Sequence, residues 1–207
     1  MEVADIESIK MERLCKSGDQ MATVQKKPKD DLDKIGDVLL KFFETKRIRD
    51  SLSSIHQLGI TGWEKWWQTE LAVFLADAES IAEWDMEHSF DADRRKGLAQ
   101  ERMALDIGFR LKGHSKDEWH FVELKQDDDF KRCIDKMCRD ADKVFAARKH
   151  SFGGLKIRYI ACAGAFLSVK NEDVVLKYAQ DALNSIDVDA DGLYLEPVSK
   201  HHSLLIF

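Results

Sequence analysis

Asp106, Glu123 and Lys125 are the residues of this chain whose types and spacing could do chemistry together. The segments around them read as two strands joined through Lys112–Asp117. A turn centred on His114-Ser115 pairs Leu111 with Glu118, Phe109 with His120, Ile107 with Val122 and Asp106 with Glu123. Side chains alternate along a strand, so Leu105, Ile107, Phe109, Val122 and Leu124 share an apolar face, and Asp106, Arg110, Glu123 and Lys125 share the other. Carboxylates placed directly opposite stand about 5 Å apart at Cβ and repel. A cation must sit between them: a divalent metal is one solution, and Lys125 is the other. Glu70 adds a third carboxylate on a helical face shared with Trp63, Trp66, Trp67, Val73 and Phe74, where an unpaired charge is costly. Brought toward Asp106 and Glu123, it would complete an oxygen-rich cage suited to Mg²⁺ or Mn²⁺.

The elements that must position these groups are read from periodicity. Thr61 and Glu64 form a capping-box pattern that starts a helix running to about Glu79. A strand over Ile81–His88, a polar bend over Asp91–Gly97, and the strands Arg102–Leu111 and Glu118–Gln126 follow. An amphipathic helix over Phe130–Lys149 presents Phe130, Ile134, Met137, Ala141, Val144 and Phe145 on one side. After a Gly153-Gly154 turn come a buried strand over Leu155–Ala163, a helix over Glu172–Leu183, and short strands at Leu193–Leu195 and Leu204–Ile206. Upstream, Lys26–Lys29 reads as a hydrated linker, followed by helical spacing of Leu32, Ile35, Val38, Leu39 and Phe42. Ile48, Leu52 and Ile55 then mark a short helix ending near Gly59. The expected class is α/β, a mixed central β-sheet flanked by helices, with residues 1–60 as an N-terminal helical extension and 61–207 as the main domain.

On these residues the chain resembles the PD-(D/E)XK nuclease superfamily, the restriction-endonuclease-like fold. The matching pieces are a helix bearing Glu70, the strand Leu105-Asp106-Ile107-Gly108-Phe109, the segment Phe121-Val122-Glu123-Leu124-Lys125-Gln126, an amphipathic helix and a further strand. Together they make an αβββαβ order from about Thr61 to Ala163. Leu105 stands where the motif name has proline. The resemblance implies metal-dependent phosphodiester hydrolysis with Mg²⁺ or Mn²⁺ as cofactor. Asp106, Glu123 and the Leu124 carbonyl would hold the ion, with Glu70 reaching it directly or through water. Lys125 would orient or deprotonate the attacking water. Lys131, Arg132 and Lys136 would meet the nucleic-acid backbone. Small members of this superfamily act in restriction, phage defence, mobile elements, repair or as toxins, and often dimerise. DNA is favoured over RNA, a homodimer is an expected assembly, and the N-terminal helices are a candidate surface for a protein partner.

Composition narrows the alternatives. The chain has 207 residues and a net charge of −6, which argues against a protein whose task is to coat nucleic acid. Arg94, Arg95 and Lys96 nonetheless cluster, as do Lys131, Arg132, Lys136, Arg139, Lys143, Arg148 and Lys149. Cys15, Cys133, Cys138 and Cys162 include no CxxC pair, and no apolar run approaches a membrane span, so a cytoplasmic location and no membrane partner are expected. Cys133 and Cys138 read as small core residues. The tryptophans could stack bases, but their helical spacing favours core packing. Asp127-Asp128-Asp129 reads as a helix cap, and His120 falls on the core face without an obvious catalytic partner. Two readings compete with the nuclease. One is a sheet face on which Lys125 neutralises Asp106 and Glu123 with no metal. The other is a binding or regulatory protein, of inhibitor or immunity type, that keeps the fold without catalysis.

Overall fold

The computed structural model describes residues 29–91, 102–147, 155–188 and 192–207. The expected linker at 26–29 (apart from Lys29), most of the polar bend, the Arg94–Lys96 cluster, the Gly153-Gly154 turn, Arg148, Lys149 and Cys15 lie outside them. Three helices lead into the sheet: α1 (residues 29–44), α2 (Lys46–Leu58) and α3 (Glu64–Asp77). Gly59 ends α2 in the left-handed conformation at φ 62°, where a side chain would be strained. Then come β1 (Ile81–Asp91), β2 (Arg102–Leu111), β3 (Glu118–Gln126), α4 (Phe130–Ala147) and β4 (Lys156–Leu167). The helix α5 (Glu172–Asn184) and the strands β5 (Tyr194–Pro197) and β6 (His202–Ile206) complete the chain.

The six strands form one sheet in the order β1-β2-β3-β4-β6-β5. Only β3 and β4 run parallel, joined across α4, and the other neighbours are antiparallel. The sheet is therefore mixed and flanked by helices, as the element pattern predicts. Alternation along β4 sorts the two layers. Ala161, Ala163 and Ala165 pack with α1, α2 and α3, while Cys162 and Phe166 pack with α4 and α5. Leu32, Leu39, Phe42, Ile48 and Leu52 share one hydrophobic cluster with Ile107, Val122 and Leu204. The expected division at 60/61 is thus crossed by a continuous core.

The helix expected from Thr61 begins instead at Glu64, with Trp63 at the N-cap. Thr61 does not act as its cap, because Glu64 turns its carboxylate toward β3 and accepts the Gln126 N–H at 3.1 Å. Asp129 does cap α4, accepting the Arg132 N–H at 3.0 Å, as the acidic triplet predicts. Cys133 and Cys138 are core residues, and so are Trp63 and Trp67.

The hairpin register is the expected one, with Ile107 opposite Val122 and Phe109 opposite His120. One element of it needs correction. Leu105 does not share the face of Ile107 but packs with Trp119, Phe121 and Val144 on the α4 side. The neighbouring strand switches with it. Met86, opposite Ile107, packs with the α1–α3 layer, whereas His88, opposite Leu105, lies 5.6 Å from the Phe121 ring. Between them Glu87 has φ 53°, an uncommon conformation for a residue with a side chain. Both strands turn over together at Glu87 and Asp106.

Candidate functional site

The strand switch decides where the candidate residues meet. Backbone pairing of β2 with β3 stops at Ile107–Val122, so the next outward N–H groups of β3 need other partners. Asp106 Oδ2 accepts the Leu124 N–H at 2.8 Å, and Glu64 accepts that of Gln126. Gln68, buried on α3, donates to the Asp106 carbonyl at 2.8 Å. Two carboxylates and an amide thus replace the ladder where the strands separate.

Lys125 reaches into this gap. Its Nζ donates to the Leu124 carbonyl at 2.9 Å and lies 2.9 Å from Asp140 Oδ2. Glu64 Oε1 and Glu123 Oε2 stand 3.8 Å away and Asp106 Oδ2 4.0 Å. Lys143 also pairs with Asp140, at 2.5 Å. Four carboxylates therefore share two ammonium groups, which leaves a surplus of negative charge.

Electrostatics follow from that crowding. Burial, followed by the charge of Asp106, pushes the Glu123 carboxyl up to about 9, so it holds its proton at neutral pH. Burial alone would depress Lys125, but Asp140, Glu64 and Glu123 lift it above the usual lysine range. Burial also works against ionised Asp140, yet hydrogen bonds from Lys143 and Lys125 hold it below its ordinary value.

Asp106, Glu123, Lys125 and the Leu124 carbonyl are brought together as expected. Glu70 is not among them. It pairs with Arg47 of α2, and the helical carboxylate that faces the strands is Glu64. Two candidate nucleic-acid contacts are internally occupied: Arg132 and Lys136 both bind Asp127, at 2.8 and 2.9 Å. Lys131 lies 5.6 Å from the centre of the Tyr178 ring. Asp140 was not singled out from the sequence. Its signal was an acid beside Met137 and Ala141 on the buried stripe of α4.

Among the described residues no three His, Cys, Asp or Glu side chains are already arranged as a metal cage. The donor chemistry nevertheless fits a hard cation. Asp106, Glu123 and the Leu124 carbonyl offer oxygen alone, and the surrounding charge surplus favours a divalent ion.

A second buried ionic cluster lies at the far end of β3. His120 Nε2 is 3.3 Å from Asp31 Oδ1, and Asp31 also binds Arg158 at 3.0 Å. α1 supplies this buried partner of His120. No family model, curated protein or solved structure matches the chain. No helix among the described residues is long and apolar enough to cross a membrane.

Proposed function

We propose that this chain is a Mg²⁺- or Mn²⁺-dependent nuclease that hydrolyses phosphodiester bonds, with DNA preferred over RNA. The observation that carries the reading is the crowding of Glu64, Asp106, Glu123 and Asp140 around Lys125 where β2 and β3 part. A purely structural sheet face has little reason to bury a proton-holding glutamate among three other acids. The element order α3-β1-β2-β3-α4-β4 agrees with the αβββαβ order of the PD-(D/E)XK superfamily.

On this reading Asp106, Glu123 and the Leu124 carbonyl hold the ion, with Glu64 in place of Glu70 as the helical carboxylate. A bound divalent cation lowers the pKa of coordinated water and neutralises phosphate oxygens. Lys125, kept charged by Asp140, then acts as a fixed hydrogen-bond donor to water or a phosphate oxygen rather than as a base. A binding protein that keeps the fold without catalysis is the second reading. It is favoured by one contact, the 2.9 Å bond with which Lys125 already satisfies the Leu124 carbonyl.

Cleavage of supercoiled plasmid, linear duplex, single-stranded DNA and RNA with Mg²⁺ or Mn²⁺ tests the proposal, with EDTA as control. Metal-dependent cutting that disappears in both Asp106→Ala and Lys125→Ala is expected. No cutting of any substrate, with no Mn²⁺ effect on the melting temperature, would leave the binding protein.

A further inference from the structure

An open groove with a volume of about 900 Å³ is lined by α2 and the start of α3. Ile55, Ile60, Trp63 and Trp66 give it an apolar and aromatic lining, and Lys46, Arg47 and Asp50 line it too, with Arg47 already paired to Glu70. Ile60 is 46% exposed although it is a large apolar residue, and Trp66 is half-buried. The two indoles meet edge to face, with ring centres 5.8 Å apart, so Trp63 braces Trp66. Among the described residues Lys46 is paired with exposed Asp50, one turn along its own helix, a pairing that is weak in water.

The groove is joined to the carboxylate cluster by the chain itself. In the segment before α3, Ile60 and Trp63 line the groove, while Thr61 and Gly62 line a separate polar pocket shared with Gln126 and Asp127. Gly62 donates its N–H to Gln126 Oε1 at 2.9 Å, one residue beyond Lys125. The residue after Trp63 is Glu64, whose carboxylate faces Lys125. Consecutive residues, Trp63 and Glu64, thus belong to the groove and to the candidate site.

We infer that this groove seats an unpaired nucleobase of single-stranded DNA, stacked on Trp66, with Lys46 at the adjoining phosphate. The inference rests on the nuclease reading and adds its substrate class. A base can stack on a side chain only after leaving its duplex neighbours, so the groove favours single strands or frayed ends over intact duplex. The apolar wall argues against a bare phosphate as the main occupant, and Lys46, held by a weak exposed pair, suits a ligand that joins a flat ring to an anion.

The test is fluorescence anisotropy of a labelled oligothymidylate and of a blunt duplex, measured without divalent metal. The proteins are wild type, Trp66→Ala, Trp66→Phe and Ser54→Trp, which fills the groove from an exposed position. The expected result is single-strand binding that weakens about tenfold in Trp66→Ala and in Ser54→Trp, with Trp66→Phe near wild type and the duplex bound less well. Should Trp66→Ala fail to fold, Ser54→Trp still decides the matter. Unchanged affinity in Ser54→Trp, or absence of oligonucleotide binding, overturns the inference and turns attention to a protein partner. Cleavage assays on the same variants separate the two proposals. Metal-dependent cutting that ignores Trp66 removes the groove and keeps the nuclease. Trp66-dependent binding without cutting under any metal does the reverse.

Discussion

Asp106 Oδ2 accepts the Leu124 N–H at 2.8 Å, so a side-chain carboxylate stands in for a neighbouring strand. The bond fixes Asp106 to the backbone of β3 at the point where Glu123 and Lys125 project. It also makes the site and the fold interdependent, because the group that would bind a cation also satisfies a backbone donor.

Asp106→Ala leaves the Leu124 N–H without its acceptor, which costs roughly 1–3 kcal/mol for a group shielded from water. Asp106→Asn keeps an acceptor oxygen and is expected to cost less. Both variants should abolish stabilisation by Mn²⁺. Urea denaturation with and without the ion separates the two effects, and equal stability of the Ala and Asn variants would argue that the bond contributes little.

Glu64 and Glu70 make opposite predictions. Glu64→Gln removes a carboxylate lying 3.8 Å from Lys125 and should weaken both Mn²⁺ stabilisation and cleavage about tenfold or more. Glu70→Gln breaks only the pair with Arg47 and should leave both near wild type. Comparable losses in the two variants would restore Glu70 to the site.

These residues also show where reading the sequence succeeds and where it stops. The pairing of Ile107 with Val122 was legible because alternation of apolar and charged residues admits one register. Leu105 was misplaced because β1 and β2 turn over together at Glu87 and Asp106, a coupled break that leaves no mark on either strand alone. Apolar neighbours single out Glu70 in the sequence, whereas Glu64 reads there as half of a capping box with Thr61. Asp140 and Asp31 are partners supplied from other elements, and only tertiary packing brings them to Lys125 and His120.

The proton on Glu123 makes cation binding pH-dependent. Its carboxyl is raised to about 9 in the fold, so a divalent ion at neutral pH must displace that proton. Apparent Mn²⁺ affinity is expected to rise up to about tenfold per pH unit between pH 6 and 8. Calorimetry in two buffers of different ionisation enthalpy should count close to one proton released per ion, and Glu123→Gln should remove the release. In the absence of metal the same shift works on stability. A carboxyl raised on folding favours the native state fully below its unfolded value, and that benefit is lost as pH rises toward about 9.

His120 and His202 act in the opposite direction. Burial pulls each imidazole down to about 4, below the value it regains on unfolding. The unfolded chain therefore binds protons near pH 6.5 that the native chain refuses, and stability falls as pH drops from about 6.5 to 4. Asp31 carries the loss on to lower pH, because a carboxyl depressed on folding gives up its contribution only as pH falls below its unfolded value. Burial alone would raise its carboxyl, but hydrogen bonds from Arg158 and His120 hold it below its ordinary value. The His120→Gln, His202→Gln double variant should flatten the melting-temperature profile across that range. An unchanged slope would place the acid sensitivity elsewhere.

Gly164 couples the packing of α4 to the site. It lies opposite Lys125 on β4, and an added Cβ would come 2.9 Å from Cys133 Sγ and still closer to Met137 Sδ. Where the packed Cys133 and Met137 side chains cannot turn aside, room for that methyl comes from moving α4 away from the sheet, at a cost of roughly 1–3 kcal/mol. Asp140 lies one turn beyond Met137 and would move with the helix, lengthening its 2.9 Å contact with Lys125. Gly164→Ala should therefore lower both stability and cleavage. Cys133→Ala in the same chain relieves one of the two clashes and should recover part of each. Cleavage that stays at wild-type level while stability falls would show that Lys125 keeps its position without Asp140.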